Sequence, residues 1–213
     1  MEALMFEPGR FALFVAASWA LVVAPGPDML YVITRGMSHG RRAGILSALG
    51  VIAGILVHTT AAALGLSMIL QTSALAFMII KFAGALYLLY LGVKTWFDKS
   101  AFQVHAISSA ASPGTLFGQG VLSNVLNPKV AIFFLAFLPQ FVDRENGNVT
   151  VQMIVLGMTF ALFGLCFLLV VGYSAGSIGK WLTRQPQYTH LLRRLASSIL
   201  IILGIRLALT ERS

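Results

Sequence analysis

Six predominantly apolar stretches, each long enough to cross a bilayer as a helix, follow one another along this chain. They run over roughly 11–34, 43–70, 73–95, 115–140, 150–177 and 191–209. No polar stretch long enough to fold as a separate soluble domain interrupts them. The chain therefore reads as a single transmembrane domain over 1–213, all-α and polytopic. Hydrophobic residues at 58% and charged residues at 10% lie well above and below the shares of a soluble domain. The most polar linker, DKSAFQVHAISSAASPG, separates the third stretch from the fourth. It divides the chain into halves over about 8–97 and about 115–210, joined by residues 98–114.

Basic residues set the expected orientation, because cytoplasmic loops carry the excess of Lys and Arg. Arg35, Arg41 and Arg42 fall between stretches 1 and 2, Lys94 and Lys99 between 3 and 4, and Lys180, Arg184, Arg193 and Arg194 between 5 and 6. Arg10, Lys81, Arg144, Arg206 and Arg212 fall on or near the other side, with Lys129 inside a span. Both termini are then expected in the periplasm. Glu2 and Glu7 precede Arg10, the wrong charge for the leading region of a cleavable signal peptide, so the first apolar segment is expected to be retained. A net charge of +8 points to no nucleic-acid partner, since the bases are scattered in short loops; membrane lipids are the expected contact. Cys166 is the only cysteine, which excludes a disulfide or a CxxC pair. His39, His105 and His190 are expected in loops and no HxH or HxxE pattern occurs, so neither a metal site nor another cofactor is expected.

The halves resemble each other. KFAGALYLLYLGVK (81–94) aligns with RRLASSILIILGIR (193–206), pairing Gly92 with Gly204. Leu49, Gly50 and Gly65 match Leu156, Gly157 and Gly172 at one constant offset. Three spans per repeat force the second copy to insert upside down, giving two inverted three-helix repeats, an architecture of transporters.

Stretches 1 and 4, which open the two halves, are both interrupted. Pro25, Gly26 and Pro27 fall past the middle of stretch 1, toward its expected cytoplasmic end, and Asn124, Asn127, Pro128 and Lys129 lie at comparable depth in stretch 4. Paired breaks at corresponding places point to a binding site, because irregular backbone at membrane depth is tolerated only against protein or a wet cavity. Pro25 and Pro27 cannot donate, so carbonyls around Leu21 and Val23 lose their partners and can accept from a cation. Gly26 permits close approach to the backbone. A restarted half-helix presents free N–H groups to a carboxylate. A zwitterionic amino acid needs both kinds of partner.

Asp28 and Lys129 are ionisable groups at membrane depth, where a charge costs at least about 2.5 kcal/mol. They are expected to face one pathway, neutralising each other or each holding one end of a zwitterion, with Asp28 a candidate proton carrier. The plainer readings are that Asp28 caps the restarted helix and that Lys129 is structural. His58, mid-helix in stretch 2, is a second candidate for a proton relay, or a neutral residue hydrogen-bonded across helices beside Thr59 and Thr60. Gly50, Gly54, Gly65, Gly157, Gly164 and Gly172 are expected to pack helices closely. FLPQF (137–141) is expected to close stretch 4, with Pro139 as the stop, Gln140 and Asp143 at the rim, and its aromatics in an interfacial belt.

Taken in order, PGPDMLYVITRGMSHGRRAGILSALGVIAG, GALYLLYLGVKTW and GVLSNVLNPKVAIFFLAFLPQFV resemble the LysE/RhtB superfamily of bacterial amino-acid exporters over nearly the full length. The resemblance implies a six-span inner-membrane protein that exports amino acids or close derivatives, driven by the proton gradient. It carries the family's PGP and NPK motifs onto Pro25, Gly26, Pro27, Asn127, Pro128 and Lys129; position 28 varies in such proteins. Asn124 and Asn127 are the expected hydrogen-bond partners of substrate, and Lys129 its carboxylate partner. Two alternatives stand beside export. An intramembrane enzyme would need a nucleophile and base, yet the serines have no matched intramembrane His–Asp set. A non-transporting scaffold is the other, and a homo-oligomer is compatible with any of the three.

Overall fold

Five of the seven prolines open a helix, and this punctuation divides the chain. Proline is tolerated at a first helical position, where its missing N–H has no intrahelical partner, and it bars the preceding residue from continuing a helix. The computed structural model describes residues 6–66, 73–97, 111–143, 148–184 and 186–209, and among these the fold is all helical. In order, the helices are α1 Pro8–Val23, α2 Pro27–His39, α3 Arg41–Ala61, α4 Ala74–Phe97, α5 Pro113–Val125, α6 Pro128–Ile132, α7 Val149–Arg184 and α8 Pro186–Leu209. Side chains complete several starts. Glu7 accepts from the Gly9 and Arg10 N–H groups, Ser112 from Thr115 N–H, and Asn127 from Lys129 N–H.

By length and composition, three single helices among the described residues can cross a membrane: Arg41–Gly65, Leu75–Phe97 and Val149–Ser177. Two bent pairs qualify as broken spans, α1 with α2 at 46° and the α5 segment with Pro128–Phe141 at 48°. α8, the sixth expected span, is formed but falls outside this set; Arg193, Arg194 and Arg206 lie along it.

The first pair has 16 residues before its break and 13 after, so the PGP interruption lies just past the middle, as expected. Several expectations change. What was expected as a loop between stretches 1 and 2 is Gly40 alone, at φ +82°, a backbone state that glycine enters freely. Arg35 and His39, placed in that loop by their polarity, belong to α2, and Arg35 is buried. Lys180 and Arg184 belong to α7, and His190, Arg193 and Arg194 to α8, rather than to an open loop. Most of the 98–114 linker, with Lys99 and His105, and also Glu2, Arg144 and Arg212, lies outside the described residues.

Two kinds of packing hold the helices. At one, small residues bring backbones together: a Cβ added to Gly120 would lie 2.6 Å from the Ser47 carbonyl oxygen, and one added to Gly172 would lie 2.7 Å from that of Gly44. Gly54 meets Asn124, Gly157 meets Thr59, and Gly164 meets Ile52 and Ile55, whereas among the described residues nothing lies within 4 Å of a Cβ added at Gly65. The other is aromatic. Phe14, Phe133, Phe134, Phe137, Phe141 and Phe160 are buried together, with the Phe133 and Phe160 rings stacked at 4.7 Å. The phenylalanines of FLPQF are therefore core, not an interfacial belt. They reach it because α6 loosens into a π-helical turn over Phe133–Phe137, where Leu138 N–H donates to Phe133 carbonyl, before tightening to a 3₁₀ turn at Leu138–Phe141. Pro139 has no N–H to hold the α-helical ladder there.

α4 and α8 meet reciprocally. Gly92 faces Ile201 and the Ser197 carbonyl, while Gly204 faces Leu89 and the Ala85 carbonyl. In the alignment of the two halves each of these residues maps onto its counterpart across the contact.

Candidate functional site

The two breaks face each other, and their residues surround one small cavity. Gly26 is extended, at φ −165° and ψ −176°, and α2 restarts at Pro27, which places Asp28 in its first turn. α5 ends at Val125, Leu126 turns the chain, and Asn127 caps α6 from the other side of the gap. Asn124, Asn127, Lys129 and Asp28 are 0%, 1%, 8% and 9% exposed, so all four are removed from lipid and bulk water.

Asp28 does not cap its own helix. Its Oδ1 accepts from Ser123 Oγ at 3.0 Å, and its Oδ2 accepts from Asn124 Nδ2 at 2.7 Å and Asn127 Nδ2 at 2.8 Å. Three donors from the end of α5 and its break thus take the place of water around the carboxylate, each such charged hydrogen bond contributing about 1.5–3 kcal/mol. The Asn127 amide spans the gap, since its Oδ1 also accepts from Lys129 N–H at 3.0 Å. Asn124 and Asn127 were expected as partners of substrate rather than of Asp28, and Ser123 was not singled out. Its signal was its place in the sequence, a hydroxyl adjoining Asn124 in the last turn before the break.

Lys129 faces the opposite break. Its Nζ donates to the Leu21 carbonyl at 3.1 Å and the Ala24 carbonyl at 2.8 Å, groups released where α1 stops. Ala24, not Val23, supplies the second acceptor. Gly26 serves this contact: an added Cβ would lie 3.0 Å from Nζ. Lys129 and Asp28 make no ion-pair contact among the described residues; the hydrogen bonds of each charge go to dipoles of the other half. Such an arrangement can exchange partners with a ligand, because each ion keeps a face toward the cavity.

That cavity has a volume of about 30 Å³. It touches Asp28, Asn124 and Lys129, with Leu21, Ile55 and Phe160 among its apolar walls. A water fits there, but ligand-holding pockets are about 300–1,000 Å³, so the cavity is too small for an amino acid. His58 lies at its margin through α5: Nε2 is 3.2 Å from the Asn124 carbonyl oxygen, to which it donates, and the ring stacks on Phe134 at 5.7 Å. Thr59 and Thr60 turn away to bond Ile55 and Leu56 carbonyls of their own helix. Pro25, Pro27 and Pro128 shape the turns and supply no polar side chain. No group of three or more His, Cys, Asp or Glu able to hold a metal ion occurs among the described residues.

The comparisons agree with one another. The LysE-type translocator family profile matches residues 19–211. An uncharacterised membrane protein of Bacillus subtilis (strain 168), YrhP, is 34% identical over 206 residues, covering 92% of this chain and 97% of the relative. The homoserine/homoserine lactone efflux protein of Salmonella typhimurium is 29% identical over 197 residues, covering 92% and 94%. The leucine efflux protein of Enterobacter sp. (strain 638) is 28% identical over 200 residues, covering 93% and 95%. No solved structure gives a significant match.

Proposed function

The chain belongs to the LysE-type translocator family of multi-pass bacterial membrane transport proteins, which are not enzymes, and from that premise we propose that it exports amino acids or close derivatives across the inner membrane. One observation carries the reading: a carboxylate and an ammonium, Asp28 and Lys129, border one buried cavity at two facing helix breaks. A zwitterion complements them. Its ammonium replaces the Asn124 and Asn127 donors at Asp28, and its carboxylate draws Lys129 off the Leu21 and Ala24 carbonyls, which a substrate N–H or water then satisfies.

The apolar walls favour a neutral side chain, since among the described residues Asp28 and Lys129 are the only charged groups bordering the cavity. The leucine and homoserine efflux relatives point the same way. In this reading the chain forms six spans as two inverted repeats, a topology supported by the reciprocal contacts of Gly92 and Gly204. The Gly40 end, beside Arg41 and Arg42, faces the cytoplasm and both termini face the periplasm. A cavity too small for an amino acid represents a contracted stage of the transport cycle. Asp28 carries the coupled proton, while His58 holds the end of α5 in place through the Asn124 carbonyl.

Purified protein in liposomes under an imposed proton gradient should move radiolabelled L-leucine or L-homoserine, with loss in Lys129→Met at equal incorporation. Absence of movement of any neutral amino acid, in liposomes shown to hold the gradient and the protein, overturns the reading.

A further inference from the structure

The seam between α2 and α5 continues past Asp28 in a way the export site does not use. Asp28, Tyr31 and Arg35 share one face of α2 at helical spacing, and each reaches α5. Tyr31 Oη donates to the Leu116 carbonyl at 2.7 Å, and Arg35 Nη2 donates to Gln119 Oε1 at 2.6 Å. Arg35 is 9% exposed, its guanidinium lies 5.7 Å from the Tyr31 ring centre, and its Nε and Nη1 have no hydrogen-bond partner among the described residues. Among the described residues no carboxylate pairs with it. Arg35 lies seven residues, about two turns, along α2 from Asp28. A buried guanidinium with unused donors carries a free-energy cost in the closed seam, and the ligand that removes it best is a planar oxyanion.

We propose that Arg35 is a carboxylate-docking station on the inner side of the pathway, where the substrate's α-carboxylate binds before it passes two helical turns on to Asp28 and Lys129. This rests on the export reading. α2 is jointed at both ends, by the PGP turn and by Gly40; its apolar face is held on α3 and α7, where Gly36 meets Gly44, Gly172 and Ala175 and where Val32 and Ile33 join one buried cluster, while its bonds to α5 are polar ones that water can replace. By contrast, α3 meets α5 through Gly50, Gly54 and Gly120 at backbone contact, which has no such substitute. An arriving carboxylate takes the free Arg35 donors only when α2 and α5 part, so it draws the protein toward the inward-open form. Ser47, whose backbone packs on Gly120, adds a buried hydroxyl without a partner on the helix next to this seam.

The test uses full-length protein in liposomes with two probes, L-leucine and L-leucinamide, which share a side chain and an amine but differ in the carboxylate. Arg35→Gln should raise the half-saturating concentration of leucine by roughly tenfold or more, leave that of leucinamide unchanged, and so narrow the preference between them to the part Lys129 supplies. Arg35→Lys, which keeps the charge but loses the planar fork, should resemble Arg35→Gln more than wild type. A general folding or gating defect lowers the maximal rates of both probes together, and that outcome, or an unchanged preference, overturns the station while leaving export intact. A wild-type protein that moves no neutral amino acid overturns export and the station with it.

Discussion

Replacing Asp28 separates the two contributions of its carboxylate, the hydrogen bonds it accepts and the charge it carries. Three buried donors converge on it, from Ser123, Asn124 and Asn127. Asp28→Leu removes every acceptor at once. Each orphaned donor costs about 1–3 kcal/mol, and a cavity with room for about one water can repair only one of them, so the net loss is at least about 2 kcal/mol. For a chain of this length about 1 kcal/mol shifts the unfolding midpoint by about 2–4 °C, which places the drop at about 4 °C or more. Asp28→Asn keeps an acceptor for the Asn124 and Asn127 amides and turns its own amide toward Ser123 Oγ, which can rotate to accept. Only the charge assistance is lost, and the drop should be less than half as large. Detergent-solubilised protein followed by thermal aggregation and size-exclusion recovery gives both midpoints. Equal midpoints for the two variants would refute the claim that these donors hold the breaks together. Transport separates the roles further: Asp28→Asn should fold yet fail to move substrate.

Gly54→Ala places a Cβ 2.6 Å from Asn124 Cβ, so α3 and α5 must part; a loss of about 1–3 kcal/mol and a fall in transport are expected, while Gly65→Ala, whose added Cβ has none of the described residues within 4 Å, should leave the same midpoint nearly unchanged. Lys129→Met strands the Leu21 and Ala24 carbonyls and should abolish transport with a moderate drop in midpoint; full transport would remove Lys129 from the pathway. Phe133→Ala opens a cavity beside Phe160 and should cost about 3–5 kcal/mol in the same thermal assay. His58→Phe keeps the stack on Phe134 and loses only the donation to Asn124, so transport should persist with an unaltered pH profile; a flattened profile would move the proton relay to His58.

The amino-acid sequence by itself determined the helices, the breaks and the pairing of the breaks. Apolar length and proline position act locally: a residue that cannot donate ends a helix wherever the chain later folds, which is why Pro27 and Pro128 could be read directly. It also brought Asp28, Asn124, Asn127 and Lys129 onto one short list, because ionisable and amide groups at membrane depth must find partners. Which partner each found was decided by the tertiary structure. Asp28 was open to capping its own helix and instead accepts from α5; Lys129 was open to pairing with Asp28 and instead binds the carbonyls of the other break. Arg35 looked like a topology signal by charge alone and became a buried donor once Gly40 proved to be the whole turn. The phenylalanines near Pro139 looked interfacial and became core once a π-helical turn rotated them inward. In each case the outcome depends on distance and facing between segments about a hundred residues apart, which periodicity along one segment does not encode.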